Sequence, residues 1–227
     1  MAVVQRAPTR TRATAPGTRR MSSQPEPNSR ADWNTRYAAQ RVDEKSPSRW
    51  IVQQYRALAS ASLVCDIAGG AGRHAAPLVA QGHRVVLLDF AETAVRDALR
   101  HSRVTYTVVA DARALPLRDG GFDAVVVTNF LDRDLIPAFI ALLKPGGRLL
   151  YETYTTEHVT LVAAGLARAP RSACFLLKPG ELRALVSPLT IVDYREGEIV
   201  DEAGRRACAS VHAIRPVLNP SAIVHRP

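Results

Sequence analysis

The stretch that decides the fold is LVCDIAGGAGRHA, residues 63–75. It begins with an apolar run interrupted by Asp66, and a short run of this kind predicts a buried strand. Small residues follow, and because they carry little side chain, the backbone can come close to a ligand. A helix is predicted from about residue 73 to 81, and the N–H groups that open a helix favour an anion. The stretch therefore predicts a loop for a nucleotide or a related cofactor on an α/β sheet.

Two classes of cofactor use such a loop. Gly70, Gly72 and Ala75 fit the dinucleotide pattern G-x-G-x-x-G/A. The stretch also resembles motif I of the class I S-adenosylmethionine-dependent methyltransferases, in which an acid ends the strand and glycines follow at alternate positions. Here Asp66, Ala68, Gly70 and Gly72 hold that pattern, with Ala68 in the place of the first glycine. The loop by itself leaves both classes open.

Asp89 comes at the end of the next predicted strand, residues 84–88, about twenty residues past the glycine loop. A carboxylate at this point accepts hydrogen bonds from both vicinal hydroxyls of a ribose, in NAD and in S-adenosylmethionine alike. The alternative role is to cap the following helix, predicted over residues 91–100, and the two roles are compatible. Phe90 joins Asp89 in the predicted cofactor site.

Asp111 follows a third predicted strand, residues 104–109, in a segment that resembles motif III of the same family. The resemblance implies that its carboxylate accepts from the adenine amino group, with the backbone of Ala112 beside the ring. A fourth strand, FDAVVV at residues 122–127, resembles motif IV and leads to Asn129. Because open α/β sheets bind ligands at the carboxyl ends of their strands, Asn129 is a candidate for the methionine end of the cofactor or for the substrate. The alternative is that it is a turn residue.

The next part of the chain carries a more specific resemblance. A helix predicted over residues 131–143 ends in Lys-Pro-Gly-Gly, residues 144–147, and an apolar strand follows at 148–154. This sequence of features is typical of class I methyltransferases, whereas a dinucleotide-dependent dehydrogenase has no reason to repeat it. Two alternating segments, residues 189–196 and 206–214, then predict an antiparallel hairpin at the edge of the sheet.

Over residues 32–214 the chain thus resembles the class I methyltransferases, and it is nearest to the small-molecule type that includes the tellurite-resistance and thiopurine methyltransferases. The resemblance implies an α/β fold, with a Rossmann-like, seven-stranded, mostly parallel sheet, an antiparallel C-terminal edge hairpin, and helices on both faces. The domain is predicted over residues 31–216, between a disordered basic tail at 1–30 and a C-terminal tail at 217–227.

The segment ADWNTRYAA, residues 31–39, precedes the predicted core. Its Trp-x-x-Arg-Tyr pattern is similar to one found in those small-molecule methyltransferases, and the resemblance implies that Arg36 and Tyr37 fold over the bound cofactor. The alternative is that Trp33 and Tyr37 only anchor an N-terminal helix, for which Asp32 is the predicted cap.

Three side chains near the predicted active-site mouth are candidates for a catalytic base: Glu152, Tyr154 and His158. The sulfonium cofactor is activated intrinsically, so the protein mainly has to position donor and acceptor. A thiol or soft-anion acceptor needs no base, whereas a hydroxyl or amine acceptor benefits from one. The alternative for His158 is a solvated loop residue. No residue is therefore assigned to catalysis from the sequence.

Charge and composition narrow the partners. The net charge is +9, and residues 1–30 hold six arginines and one glutamate, or +5 of that total, so the predicted domain is only mildly basic. Nucleic acid is possible but is not the favoured partner. The basic tail is read as a dispensable tail, a start-site artefact or an organelle transit peptide. No apolar run approaches the roughly 18 residues of a membrane span, and three scattered cysteines predict neither disulfides nor a metal site.

The sequence therefore predicts a cytoplasmic S-adenosylmethionine-dependent methyltransferase with a small-molecule acceptor that it does not identify. An RNA or protein methyltransferase is the alternative within the same chemistry. An NAD(P)-dependent Rossmann oxidoreductase and a non-catalytic cofactor-binding protein are the alternatives outside it. The sequence does not give the oligomeric state.

Overall fold

The structure is a computed structural model, and it describes residues 29–39, 46–104, 106–167, 173–201 and 204–217. The predicted tails therefore lie almost entirely outside the described residues, which begin at Ser29 and end at Val217.

The described residues form one seven-stranded sheet. Its strands are β1 (Leu63–Ile67), β2 (Arg84–Asp89), β3 (Tyr106–Val109), β4 (Phe122–Thr128), β5 (Leu143–Tyr154), β6 (Thr190–Asp201) and β7 (Gly204–Ile214). The strand order is β3-β2-β1-β4-β5-β7-β6. Strands β1 to β5 pair in parallel, whereas β7 is antiparallel to both β5 and β6. This arrangement confirms the predicted fold class.

Helices cover both faces of the sheet. They are α1 (Arg30–Ala39), α2 (Arg49–Gln54), α3 (Ala75–Ala80), α4 (Glu92–His101), α5 (Ile136–Ala141), α6 (His158–Ala163) and α7 (Glu181–Leu185). One core cluster joins α2, α3 and α4 to the sheet, and a second joins α5 and α7 to it. Parallel strands are buried on both faces, which is why β4 reads as a nearly continuous apolar run. Among the described residues, no helix is long and apolar enough to cross a membrane.

Lys-Pro-Gly-Gly does not end a helix, as the sequence predicts, but lies near the start of β5. The preceding helix already ends at Ala141, and the pairing register of β4 and β5 shifts across this segment. Gly146 has a φ of +78°, and a Cβ on Gly147 would lie 2.8 Å from the Lys144 carbonyl oxygen. Pro145 has no N–H to donate. The segment is therefore a bulge near the start of β5. After it, β4 and β5 pair in regular register.

Candidate cofactor and acceptor site

The candidate site lies at the carboxyl ends of the parallel strands around β1. The chain builds β2 and β3 on one side of β1, and β4 and β5 on the other, so the strand order reverses there. Open α/β sheets bind ligands in the crevice that such a reversal creates. Strand ends bring three of the predicted residues to this crevice: Asp66 in β1, Asp89 at the end of β2, and Asn129 just after β4.

The glycine loop has the backbone conformation that its small residues allow. Ala68, Gly70 and Gly72 have φ angles of +52°, +58° and +84°. Ala68 thus adopts the left-handed conformation in the place of the first glycine of the motif, which costs an L-residue about 1–2 kcal/mol. A Cβ on Gly70 would lie 2.5 Å from the Tyr37 hydroxyl oxygen, so the loop backbone approaches that side chain directly.

Asp66 is a buried carboxyl without a hydrogen-bond partner. It is 1% exposed, and neither of its oxygens is bonded to any residue that the structure describes. Burial raises the pKa of Asp66 to about 7, and nearby Asp89 acts in the same direction while Arg73 opposes it. A buried acceptor of this kind is costly unless a ligand supplies the missing donor. The ammonium of a bound amino acid is such a donor.

Asp89 has two backbone partners. Its Oδ2 accepts from the Gly70 N–H at 2.8 Å, and its Oδ1 accepts from the Ala91 N–H at 2.8 Å. Burial raises the pKa of Asp89, and the backbone hydrogen bonds oppose this shift. The carboxylate therefore braces the glycine loop and opens α4 at the same time. An ionised carboxylate offers about four acceptor positions, so two remain for a ribose.

The predicted adenosine side is more open to solvent. Asp111 is partly exposed, and its carboxylate accepts from the Arg113 N–H at 2.9 Å, which begins a single 3-10 turn. Ala112, the first residue of that turn, is buried. Phe90 carries the Arg30 guanidinium over its ring, 4.6 Å from the ring centroid. Asp111 thus has acceptor positions left for an amino group.

Helix α1 rests on this region through one face. Arg30, Asn34 and Tyr37 are spaced by four and three residues, which places them on the same side of a helix. The Asn34 Oδ1 accepts from the Thr93 N–H in the first turn of α4, at 3.0 Å. Burial raises the pKa of Tyr37 above its usual range, and the nearby Asp89 adds to this shift. Tyr37 thus lies against the glycine loop, and its predicted contact with the cofactor stays a prediction.

Two details of α1 differ from the simplest sequence interpretation. Asp32 does not precede the helix as its cap but lies in its first turn. It accepts from the Ser29 N–H at 2.8 Å, and the Ser29 hydroxyl accepts from the Asp32 N–H at 3.2 Å, which is a reciprocal capping arrangement. Arg36 stacks on the Trp33 ring at 4.5 Å, within the same helix. Its predicted contact with a cofactor stays a prediction.

Arg73 belongs to the site although the sequence did not single it out. Its Nη2 donates to the Thr128 hydroxyl at 3.1 Å. With the Asn129 amide oxygen turned toward the guanidinium, that oxygen accepts from Nη2 at 2.7 Å. Asn129 also has a φ of +56°, which is consistent with its predicted turn role. Arg73 thus links the glycine loop to the end of β4, where Asn129 serves both as a turn residue and as its partner.

Glu152 is buried, but it is poorly suited to act as a base. Its Oε2 accepts from the Ser48 hydroxyl at 2.9 Å, from the Ser210 hydroxyl at 2.8 Å and from Arg195 at 3.0 Å. Its Oε1 lies 3.4 Å from an Arg206 nitrogen. Four donors thus occupy the acceptor positions of the carboxylate. Glu152 therefore joins α2, β6 and β7 rather than facing a reacting group.

His158 is not a solvated loop residue. It is the first residue of α6 and is 1% exposed, with its ring 4.6 Å from the Tyr154 ring, centroid to centroid. Its Nδ1 accepts from the Ala207 N–H at 3.2 Å. The neutral ring then carries its proton on Nε2, so it has no vacant acceptor nitrogen. Of the three predicted bases, only Tyr154 has a side chain that makes no hydrogen bond to the residues that the structure describes.

A second buried histidine holds the start of α3. The His74 Nε2 accepts from the Ser48 N–H at 3.3 Å, so Nδ1 carries the proton and donates to the Tyr55 hydroxyl at 2.9 Å. Burial lowers the pKa of His74 well below its usual value, and the neighbouring Arg73 acts in the same direction. His74 therefore stays neutral and fixes the backbone next to Arg73.

The sheet order and the loop together define the scaffold as the class I methyltransferase fold. Residues 64–147 match the family model of a methyltransferase domain. A solved structure described under echinomycin biosynthesis, for the conversion of a disulfide bond into a thioacetal group, has a TM-score of 0.66 at 20% identity, over 83% of this chain and 93% of that one. A SAM-dependent methyltransferase from Methanosarcina mazei has a TM-score of 0.60 at 21% identity, over 76% and 99%. TehB from Haemophilus influenzae has a TM-score of 0.57 at 20% identity, over 73% and 61%.

Curated relatives match a shorter stretch at higher identity. A demethylmenaquinone methyltransferase from Clavibacter sepedonicus is 35% identical over 127 residues, which is 51% of this chain and 51% of the relative. The ubiquinone/menaquinone biosynthesis C-methyltransferase UbiE from Saccharophagus degradans is 39% identical over 113 residues, 44% of this chain and 45% of the relative. The chain thus spans about half the length of these relatives or less. The matched family favours methyltransferases over dinucleotide-dependent oxidoreductases, the two classes that the loop left open.

Proposed function

We propose that the protein is an S-adenosylmethionine-dependent methyltransferase that acts on a small-molecule acceptor. The observation that carries this proposal is Asp66, whose two buried oxygens have no partner among the described residues. The ammonium at the methionine end of the cofactor supplies the missing donors and a matching charge. The family match over residues 64–147 supports the same cofactor.

The remaining predicted residues fit the rest of the cofactor. Asp89 retains acceptor positions for the ribose hydroxyls, and Asp111 retains them for the adenine amino group. Phe90 and Ala112 come directly after these two acids in the sequence. The Tyr37 hydroxyl lies against the glycine loop at Gly70. When bound, the cofactor supplies an activated methyl group. The chain's own contribution is to bind, to orient and to exclude water.

Two of the three predicted bases, Glu152 and His158, already have their acceptor atoms occupied, which supports positioning as the main catalytic contribution. Glu152 is held by four donors, and the acceptor nitrogen of His158 is filled. An acceptor that ionises easily, or that is nucleophilic without losing a proton, suits this site best. The curated relatives are named for menaquinone and ubiquinone biosynthesis, and a small aromatic acceptor is the corresponding expectation here. The predicted resemblance of this chain to the tellurite-resistance type of methyltransferase is supported by the similar fold of TehB.

Calorimetry on the full chain tests the proposed cofactor. We expect binding of S-adenosylmethionine and S-adenosylhomocysteine, and no binding of NADH at the same concentration. An Asp66→Asn variant serves as the matched control, because it keeps the shape of the side chain but removes its charge. Binding of NADH alone would contradict the proposal, and so would equal affinity of the wild type and Asp66→Asn for S-adenosylhomocysteine.

A further inference from the structure

Arg73 is a cation at the site whose guanidinium is held by neutral groups, although its charge also acts on Asp66. Its two side-chain partners, the Thr128 hydroxyl and the Asn129 amide oxygen, are both neutral. Among the described residues, no carboxylate lies within ion-pair distance of its guanidinium, whereas Arg195 and Arg206 both pair with Glu152. A planar guanidinium held in place by neutral oxygens is prepared to bind an anion.

Tyr154 supplies a second donor. Its hydroxyl makes no hydrogen bond to the residues that the structure describes, and its side chain is only partly buried. Burial raises the pKa of Tyr154, so the phenol keeps its proton and can donate it to an anion. Arg73 donates to Thr128, and Thr128 pairs with Glu152 of β5. Tyr154 comes two residues after Glu152 and therefore lies on the same face of the sheet, so the Arg73 contact on β4 and Tyr154 on β5 lie at the same end of neighbouring strands.

Tyr154 lies apart from the proposed cofactor acids, whereas Arg73 lies between them and Tyr154, because its charge also acts on Asp66. Asp66 and Asp89 lie on β1 and β2, whereas Tyr154 lies at the end of β5 and pairs with Cys208 of β7. Strand β4 lies between the two groups. The side chains of Glu152 and Arg206 also come near Tyr154, but they pair with each other, so they add little net charge.

We propose that Arg73 and Tyr154 form a binding site for an acidic group of the methyl acceptor, which therefore binds as an anion. This inference rests on the proposed function, because it concerns the second substrate of the same site. It restricts the acceptors to small molecules with a carboxylate or a comparably acidic group. Neutral alcohols and amines of the same size are excluded as good ligands, because they leave the guanidinium charge unmatched.

A pair of matched probes tests the proposal on the full chain saturated with S-adenosylhomocysteine. The probes are 3,4-dihydroxybenzoate and 3,4-dihydroxybenzamide, which share a ring and its hydroxyls but differ in charge. Because a hydrogen bond to a charged group contributes about 1.5–3 kcal/mol, we expect calorimetry to give about 10–100-fold tighter binding of the acid. We expect Arg73→Met to remove this preference, Arg73→Lys to retain part of it, and Tyr154→Phe to weaken the acid alone.

The same variants separate the possible sources of the anion. If Arg73→Met weakens S-adenosylhomocysteine about tenfold or more but leaves 5′-methylthioadenosine, which lacks the amino-acid end, unchanged, then Arg73 binds the cofactor's own carboxylate and the inference is overturned. It is also overturned if the two probes bind equally, if neither binds, or if the preference persists in Arg73→Met. Failure of the wild type to bind S-adenosylhomocysteine would instead overturn the proposed function itself.

Discussion

Replacing Asp66 by asparagine should stabilise the ligand-free protein at neutral pH and impair cofactor binding at the same time. The buried carboxyl has a pKa raised from 3.8 to about 7 and has no hydrogen-bond partner among the described residues. Between these two pH values the unfolded chain releases a proton that the folded chain retains. Stability therefore falls as the pH rises through this window. An amide does not titrate, so the variant escapes this loss.

The size of the effect follows from the shift. A rise from 3.8 to about 7 corresponds, at 1.36 kcal/mol per unit, to a cost on the order of 4 kcal/mol above pH 7. From pH 5 to pH 8 the cost grows by about 3 kcal/mol, because only the interval below 7 contributes. For a domain of this size that is roughly 6–12 °C in melting temperature. A buried amide with no partner carries its own penalty, but that penalty is the same at both pH values.

The measurement is thermal unfolding of the wild type and Asp66→Asn at pH 5 and pH 8, without ligand. As the pH rises, the melting temperature of the variant should increase relative to that of the wild type. Asp134→Asn, at an exposed aspartate, is the control and should show little change between the two pH values. A wild-type-to-variant difference that stays constant from pH 5 to pH 8 would refute the raised pKa. S-adenosylhomocysteine should bind the wild type more tightly at pH 8 than at pH 6, since the ionised carboxylate pairs with its ammonium.

Three further substitutions test the glycine loop, the proposed ribose site and the hydrogen-bond network around Glu152. Gly70→Val should abolish detectable cofactor binding in calorimetry while circular dichroism shows the fold retained, since a side chain there meets Tyr37 and the φ is +58°; Gly82→Val, also at positive φ but with nothing within 4 Å of its Cβ, should bind normally. Asp89→Ala should weaken S-adenosylhomocysteine by about 1–3 kcal/mol, and wild-type affinity in this variant would exclude a ribose contact. Glu152→Gln should lower the free energy of unfolding in urea by about 3–5 kcal/mol, because it removes the carboxylate from two arginines; a loss no larger than that of Ser210→Ala would argue against this network.

The positions of the acids in the proposed donor site could be predicted from the sequence because its parts are local, while their contacts with a cofactor stay predictions. Parallel strands buried on both faces appear as apolar runs, and the acids that end them are the next residues in the chain. Asp66 and Asp89 were found in this way. The bond between Gly70 and Asp89 spans just 19 residues. Because the strand, the glycine loop and the next strand follow one another closely in the sequence, the chain has few other ways to arrange them.

The acceptor side could not be predicted in the same way because its partners are distant in the sequence. Arg73 meets Thr128 across 55 residues, and an arginine after a glycine loop has no local feature that identifies a partner. The His158 ring accepts from the Ala207 N–H, 49 residues later, so its segment gives no sign of burial by itself. The position of Arg73 directly after Gly72, at the mouth of the loop, is the one signal that could have drawn attention to it.

The network around Glu152 has a consequence for the order in which the protein assembles. Its hydroxyl partners lie 104 residues before it and 58 residues after it, whereas the donor half uses contacts of short sequence separation. Because contacts of high sequence separation form late, we expect the network around Glu152 to form after the glycine loop is in place. Refolding chains should then gain S-adenosylhomocysteine binding before Trp50, which lies 5.3 Å from Arg195, reaches its native fluorescence. A newly made chain would then bind its proposed methyl donor before helix α2 and the antiparallel strands are joined through Glu152.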